Sequence, residues 1–217
     1  MRQVQGQRLR LRYRKDDVLM WIGHLDLLRL AIKLLRRAEV PFATSGRFSP
    51  KPRLSFAPAL PVGVRAESEL LDIELRESIE WGAEEVARAV AELAEAAQPR
   101  DFVAGLWVLE APAPSIAQLA TGARYTLQLA GVSTAAAATA RIEQGALPVQ
   151  DRQGRTVDAC RGLLRYEQDG SKLRLDGTAG GAGNFNIMRL SAALEGLGYE
   201  PVLRMRLGLL DAEGRML

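Results

Sequence analysis

Residues 8–14 read RLRLRYR, a strict alternation that sets Leu9, Leu11 and Tyr13 against Arg8, Arg10, Arg12 and Arg14. Successive side chains of a strand point to opposite faces, so the segment is legible as a half-buried strand. The period then changes. Across His24–Ala38, Leu25, Leu28, Ile32 and Leu35 recur at helical spacing and predict a buried stripe, while Asp26, Arg29, Lys33, Arg36 and Arg37 share an arc of roughly 100°. PRLSFA and ELLDIEL predict two strands, WGAEEVARAVAELAEAA a second helix with Val86, Val90 and Leu93 inward, and FVAGLWVLEA a closing strand.

The order β, α, β, β, α, β is that of a ferredoxin-like unit. APAPSIAQ, residues 111–118, reads as a linker, because its two prolines neither continue a strand nor let a helix start. After it the order repeats. ARYTLQLAG is a strand, STAAAATARIEQG an Ala-rich helix, and VDACRGLLRYEQ with KLRLDGT a hairpin around Asp169-Gly170. FNIMRLSAALEGLG is a helix ended by glycine, PVLRMRLGLL a last strand, and LPVQDRQGRT adds a hairpin. The expected class is α+β, with tandem ferredoxin-like (βαββαβ) units at 1–112 and 119–217, antiparallel sheets and helices on one face. A single α+β domain with extensions is the alternative.

Charge is polarised along the chain. Residues 1–53 carry 13 Lys and Arg against 4 Asp and Glu, whereas the whole chain is only +3, so the rest is acidic. From Glu67 to Glu95 ten acidic residues face only Arg76 and Arg88. The basic end is a candidate footprint for a polyanion. Four outward arginines on one strand repel one another unless an anion lies across them, and Arg204 and Arg206 repeat the pattern near the end of the chain. One Cys and one His exclude an internal disulfide and a zinc site of soft ligands, so Cys160 reads as a small buried residue. No apolar run reaches a membrane span, and MRQVQGQRLRLRYRK lacks the apolar core of a secretory signal, which implies a cytoplasmic protein.

The segment FATSGRFSPKPRLSF, residues 42–56, is longer and more basic than a helix-to-strand connection needs. Pro50 and Pro52 restrict it before binding, Arg47, Lys51 and Arg53 supply phosphate contacts, and Phe48 either offers a stacking face or plugs the core. His24 either caps and packs or serves as an acid or base; Asp26 either complements the helix dipole and pairs with Arg29 or assists it. GTAGGAGN, residues 177–184, is a connector or a phosphate cradle, without the Lys-Ser/Thr of a P-loop.

The run GHLDLLRLAIKLLRRAEVPFATSGRFSPKPRLSFAPALPVGVRAESELLDIEL resembles the signature of a radical-SAM-linked bacterial family of unknown function. Its members are the C-terminal part of cobalamin-binding radical SAM proteins or separate chains associated with them. His24, Leu25, Asp26, Arg36, Arg37, Ala38, Ser45, Phe48, Pro50, Pro52, Ser55, Phe56, Leu60, Pro61, Gly63, Val64, Asp72 and Glu74 match the pattern. The family's N-P-H-P stands here as Ser49-Pro50-Lys51-Pro52, so a two-histidine metal site or acid–base pair cannot be built from His24 alone. Positive charge survives at position 51, which suits phosphate contact. The chain lacks a C-x3-C-x2-C motif and holds no radical SAM cluster of its own.

The resemblance and the charge together imply a non-catalytic accessory protein that presents structured RNA, of the tRNA or rRNA kind, to a radical SAM partner. No cofactor or metal is expected. RNA contacts are expected from Arg8, Arg10, Arg12, Arg14, Arg29, Lys33, Arg36, Arg37, Arg47, Phe48, Lys51, Arg53, Arg204 and Arg206. Glu84, Glu85 and Glu92, with Glu95, form an acidic helix face suited to docking the partner. Two alternatives stand: a metal-independent RNA endonuclease or RNA-modifying enzyme using His24 and Asp26, and an adaptor that binds protein only.

Overall fold

A computed structural model of the chain describes residues 6–46, 48–97, 102–180 and 184–217. The α+β chain divides into two compact units, residues 1–62 with 66–119, and residues 63–65 with 120–217. Among the described residues no helix is long and apolar enough to cross a membrane.

In the first unit β1 (Arg8–Lys15) leads through a 3-10 turn (Asp17–Trp21) into α1 (His24–Arg37). A small hairpin of β2 (Thr44–Ser45) and β3 (Lys51–Pro52) precedes β4 (Leu54–Phe56), β5 (Arg65–Glu74), α2 (Ala83–Ala96) and β6 (Val103–Leu109). The one-turn α3 (Ile116–Leu119) follows. Its sheet runs β6-β1-β5-β4 with antiparallel neighbours throughout. Leu9, Leu11 and Tyr13 share a buried core with Leu71 and Ile73 of β5, with Leu75 just after it, and with residues of α1 and α2. The alternation in β1 therefore leaves its arginines on the helix-free face.

The buried stripe of α1 is Leu27, Ala31, Leu34 and Leu35, whereas Leu25 is 65% exposed and Leu28 and Ile32 are half-buried. This corrects the expected stripe by about a quarter turn of the helix. Leucines occupy much of its circumference, so the period alone leaves the contact face open. The charged residues Asp26, Arg29, Lys33, Arg36 and Arg37 are all exposed.

The expected linker also behaves differently. Ser115 separates Pro114 from α3, and the backbone from Ala113 to Ile116 lies against the face of β1 and β5 that carries Arg8, Arg10 and Asp72. A proline fits just ahead of a helix, where no intrahelical N–H is required of it.

In the second unit β7 (Gly122–Leu129) and α4 (Val132–Glu143) precede a separate hairpin of β8 (Pro148–Gln150) and β9 (Thr156–Asp158). Then come β10 (Leu163–Asp169), β11 (Lys172–Thr178), α5 (Ile187–Glu195) and β12 (Pro201–Leu210). The order within this unit, β10-β11-β7-β12, is again antiparallel. Setting the extra hairpin aside, β7, β10, β11 and β12 hold the places that β1, β4, β5 and β6 hold in the first unit.

Gly177 is required by close approach, since a Cβ there would lie 2.4 Å from ring and Cβ atoms of Phe185. The amides of Met188 and Arg189 at the start of α5 are taken by Asn186 Oδ1 at 3.0 and 3.3 Å, which leaves little of a phosphate cradle there. Residues 181–183 of that glycine run lie outside the described residues. Cys160 is half-buried rather than buried, with its thiol pKa raised by burial and by Asp158.

Candidate functional site on the helix-free sheet face

The arginine stripe of β1 does face an anion, and the chain supplies it. The β1–β5 register sets Arg10 opposite Asp72, and the two form a fork, Nε to Oδ1 at 2.7 Å and Nη2 to Oδ2 at 2.9 Å. Arg8 adds a longer ion pair to Oδ2 at 3.9 Å, and the Ile116 amide donates to the same oxygen at 2.7 Å. Arg8 and Arg10 also donate to the Ala113 and Pro114 carbonyls at 2.6 and 3.2 Å. Asp72 is 2% exposed, and the side chains of Arg8 and Arg10 only 12% and 14%. A carboxylate shared by two cations and an amide is charge-assisted and dry, so these arginines are committed internally. They bond to Asp72 and residues 113–114 instead of standing free on the face as the alternation alone implies, and Arg8 also borders the cleft beside them.

Further along the same face the sheet is open. Arg12 and Arg14 are exposed, and the Arg12 guanidinium sits 5.3 Å from the centre of the Trp107 ring, within cation–π range. Arg12 Nη2 donates to the Ala104 carbonyl at 3.3 Å, which holds it in place. Beneath the indole lies Gly105, where a Cβ would come within 3.2 Å of Trp107 Cη2. A glycine inside a strand marks such a close approach, here of a ring laid along the sheet. Trp107 keeps 42% of its surface in solvent. Sequence reasoning missed it, although Gly105-x-Trp107 on an alternating strand was the available signal.

Beside the Asp72 fork a cleft of about 580 Å³ opens, lined by Arg8, Ser45, Arg53, Ser55, Glu74 and Gln118 among others. Arg53 is held by Glu74 at 2.7 Å, half-buried. The β2–β3 hairpin turns through Gly46 at φ +89°, the left-handed region that glycine tolerates. Arg47 lies outside the described residues. Phe48 is 97% exposed and plugs nothing, and Lys51 is exposed.

The remaining candidates are distributed over other surfaces. The charges of α1 lie on the outer side of the helix layer, so the sheet separates them from Arg12 and Trp107. Arg29 pairs with Asp26 at 2.8 Å, and Arg37 donates to the Ala96 carbonyl at 3.4 Å. Arg206 is 1% exposed and cannot reach a ligand, a second correction. Arg204 is paired with Glu195. Glu84 and Glu92 are exposed on α2, whereas Glu85 accepts from the Gly82 amide at 2.9 Å and pairs with Arg88 at 3.6 Å.

His24 stands edge-on to Phe56, ring centres 5.0 Å apart, and borders a void of about 10 Å³ with Tyr13, Lys15 and Glu69. That is room for about one water. Asp26 turns its carboxylate to Arg29 at 2.8 Å. Among the described residues no group of three or more His, Cys, Asp or Glu side chains is placed to hold a metal ion.

A comparison with curated proteins found no match. The family model described as "Uncharacterized protein conserved in bacteria (DUF2344)" matches residues 8–184, well over half of the chain. The match runs from the first arginine of β1 past β11, and so takes in the Asp72 fork, Trp107 and Gly105. By that span the chain belongs to the DUF2344 family of uncharacterized bacterial proteins.

Proposed function

We propose that this chain is a non-catalytic RNA-binding accessory protein that works in the cytoplasm with a cobalamin-binding radical SAM enzyme, presenting RNA for modification or maturation. The observation that carries the RNA reading is the indole of Trp107, 42% in solvent, with the Arg12 guanidinium 5.3 Å from its centre and Arg14 exposed two residues further along β1. A planar π surface with a fixed cation suits an unpaired base and its phosphate. The strand order and the two longer helices of each unit support a ferredoxin-like reading. Sheets of that kind in RNA-recognition modules stack bases on aromatic side chains of the open face, an analogy of fold. Phe48 and Lys51, exposed at the β2–β3 hairpin, offer a second ring and cation away from Trp107.

Anisotropy of a labelled stem-loop RNA with an unpaired loop tests this. Trp107→Ala is expected to weaken binding by about 5- to 150-fold, the equivalent of about 1–3 kcal/mol for one stacked base. Arg12→Ala and Lys51→Ala should each lower the salt slope by about 0.7–0.9. Absence of binding at low salt, or full affinity in Trp107→Ala, refutes the assignment. Docking of the enzyme is read separately by reversing Glu84, Glu85 and Glu92 to Lys. Copurification should be lost with RNA affinity intact, and a retained partner removes α2 from the interface.

A further inference from the structure

The Arg–Asp fork occurs twice. In the second unit Arg124 on β7 faces Asp176 on β11, with Nε to Oδ1 at 2.7 Å and Nη2 to Oδ2 at 2.8 Å. β7 and β11 hold the places of β1 and β5, so Arg124 and Asp176 stand where Arg10 and Asp72 stand. Asp176 raises the pKa of the Arg124 guanidinium, as a charge-assisted pair should.

What differs is the covering. In the first unit backbone covers the fork: the Ile116 amide gives its proton to Asp72, and the Ala113 and Pro114 carbonyls accept from Arg8 and Arg10. In the second unit the side chains of Arg124 and Asp176 bond only to each other among the described residues. Arg124 is 30% exposed and Asp176 11%, against 14% and 2% for Arg10 and Asp72. A cleft of about 530 Å³ lies over them, lined by Arg165, Tyr166, Glu167 and Arg174 as well as the pair. Arg165 lies next to Asp176 on β10, exposed and without a side-chain partner among the described residues.

We propose that this cleft takes an extended, acidic segment of a partner protein, bound as the first unit binds its own residues 113–116. A backbone amide of the segment donates to Asp176, a backbone carbonyl accepts from Arg124, and a carboxylate of the segment pairs with Arg165. Arg124 is paired with Asp176, and Arg174 with Glu167 and Asp169, so Arg165 is the cation of the cleft left for that carboxylate to meet. This assignment is independent of RNA binding in the first unit, because it rests on a different unit and a different ligand class.

The probe is the decapeptide EAPAPSIAQL, the sequence of residues 110–119 with blocked ends, added to the full-length 15N-labelled chain. The first unit's own segment occupies its fork in cis. Saturable amide shifts are therefore expected around Arg124, Arg165 and Asp176. Asp176→Asn should weaken binding by about tenfold or more, the loss expected for a hydrogen bond to a charged group. Arg165→Glu, at an exposed position that leaves the fork intact, should weaken it while preserving the spectrum of the folded chain. Absence of shifts at millimolar peptide, shifts confined to residues 6–119, or full affinity in Arg165→Glu each overturns the proposal. Displacement of the peptide from these residues by the stem-loop RNA would also overturn it and assign the cleft to nucleic acid.

Discussion

Replacing Asp72 by Asn removes one oxygen and one charge while keeping nearly the same volume. In the native fold that carboxylate, 2% exposed, accepts two bonds from Arg10 and one from Ile116 and pairs with Arg8. An asparagine retains one acceptor and turns an NH2 group against a donor already in place, so two largely buried guanidinium groups lose their counter-charge. Breaking a buried pair from one side destabilises by about 3–5 kcal/mol, a large share of the roughly 5–15 kcal/mol that holds a domain together. With a urea slope of about 2 kcal/mol per M, the midpoint of the first unit should fall by about 1.5–2.5 M. The assay is selective, because Trp21, Trp81 and Trp107 all lie in the first unit and tryptophan emission follows its unfolding. A midpoint shift below about 0.5 M would refute the reasoning, since Asp72 would then contribute no more than an exposed pair does.

Two further perturbations read local chemistry. Asp151, in the loop of the β8–β9 hairpin, has its pKa lowered from 3.8 to about 2, first by the Arg155 side chain and then by backbone amides. A depressed carboxyl stabilises the fold above its unfolded pKa and loses that contribution as pH falls through the folded one. NMR titration should therefore find the hairpin contacts intact at pH 4 and lost near pH 2, and a midpoint near 3.8 contradicts the geometry. His24→Asn should leave RNA affinity unchanged and remove no activity, because the ring borders a space of water size; a His24-dependent cleavage product would restore the enzymatic alternative.

The order of strands and helices was legible because the periods of two and 3.6 residues are local properties of the chain. RLRLRYR, the α2 segment and the Asp169-Gly170 turn each declared themselves without reference to any distant residue. The rotation of α1 was not legible, since a helix with leucines on several sides is oriented by the sheet it meets. Nor was the fate of the arginines. Four like charges in alternation implied an anion, but Asp72 lies 62 residues from Arg10 and reaches it only through the antiparallel register of β5 on β1. The same strand consequently holds two internal arginines and two exposed ones. The difference arises because residues 113–116 cover one end of the face while Gly105 lets Trp107 lie flat at the other. Arg206, alternating as Arg8 does, is buried. Alternation assigns a side chain to a face; whether that face meets water, a carboxylate or folded chain depends on segments far away in sequence, brought there by tertiary packing.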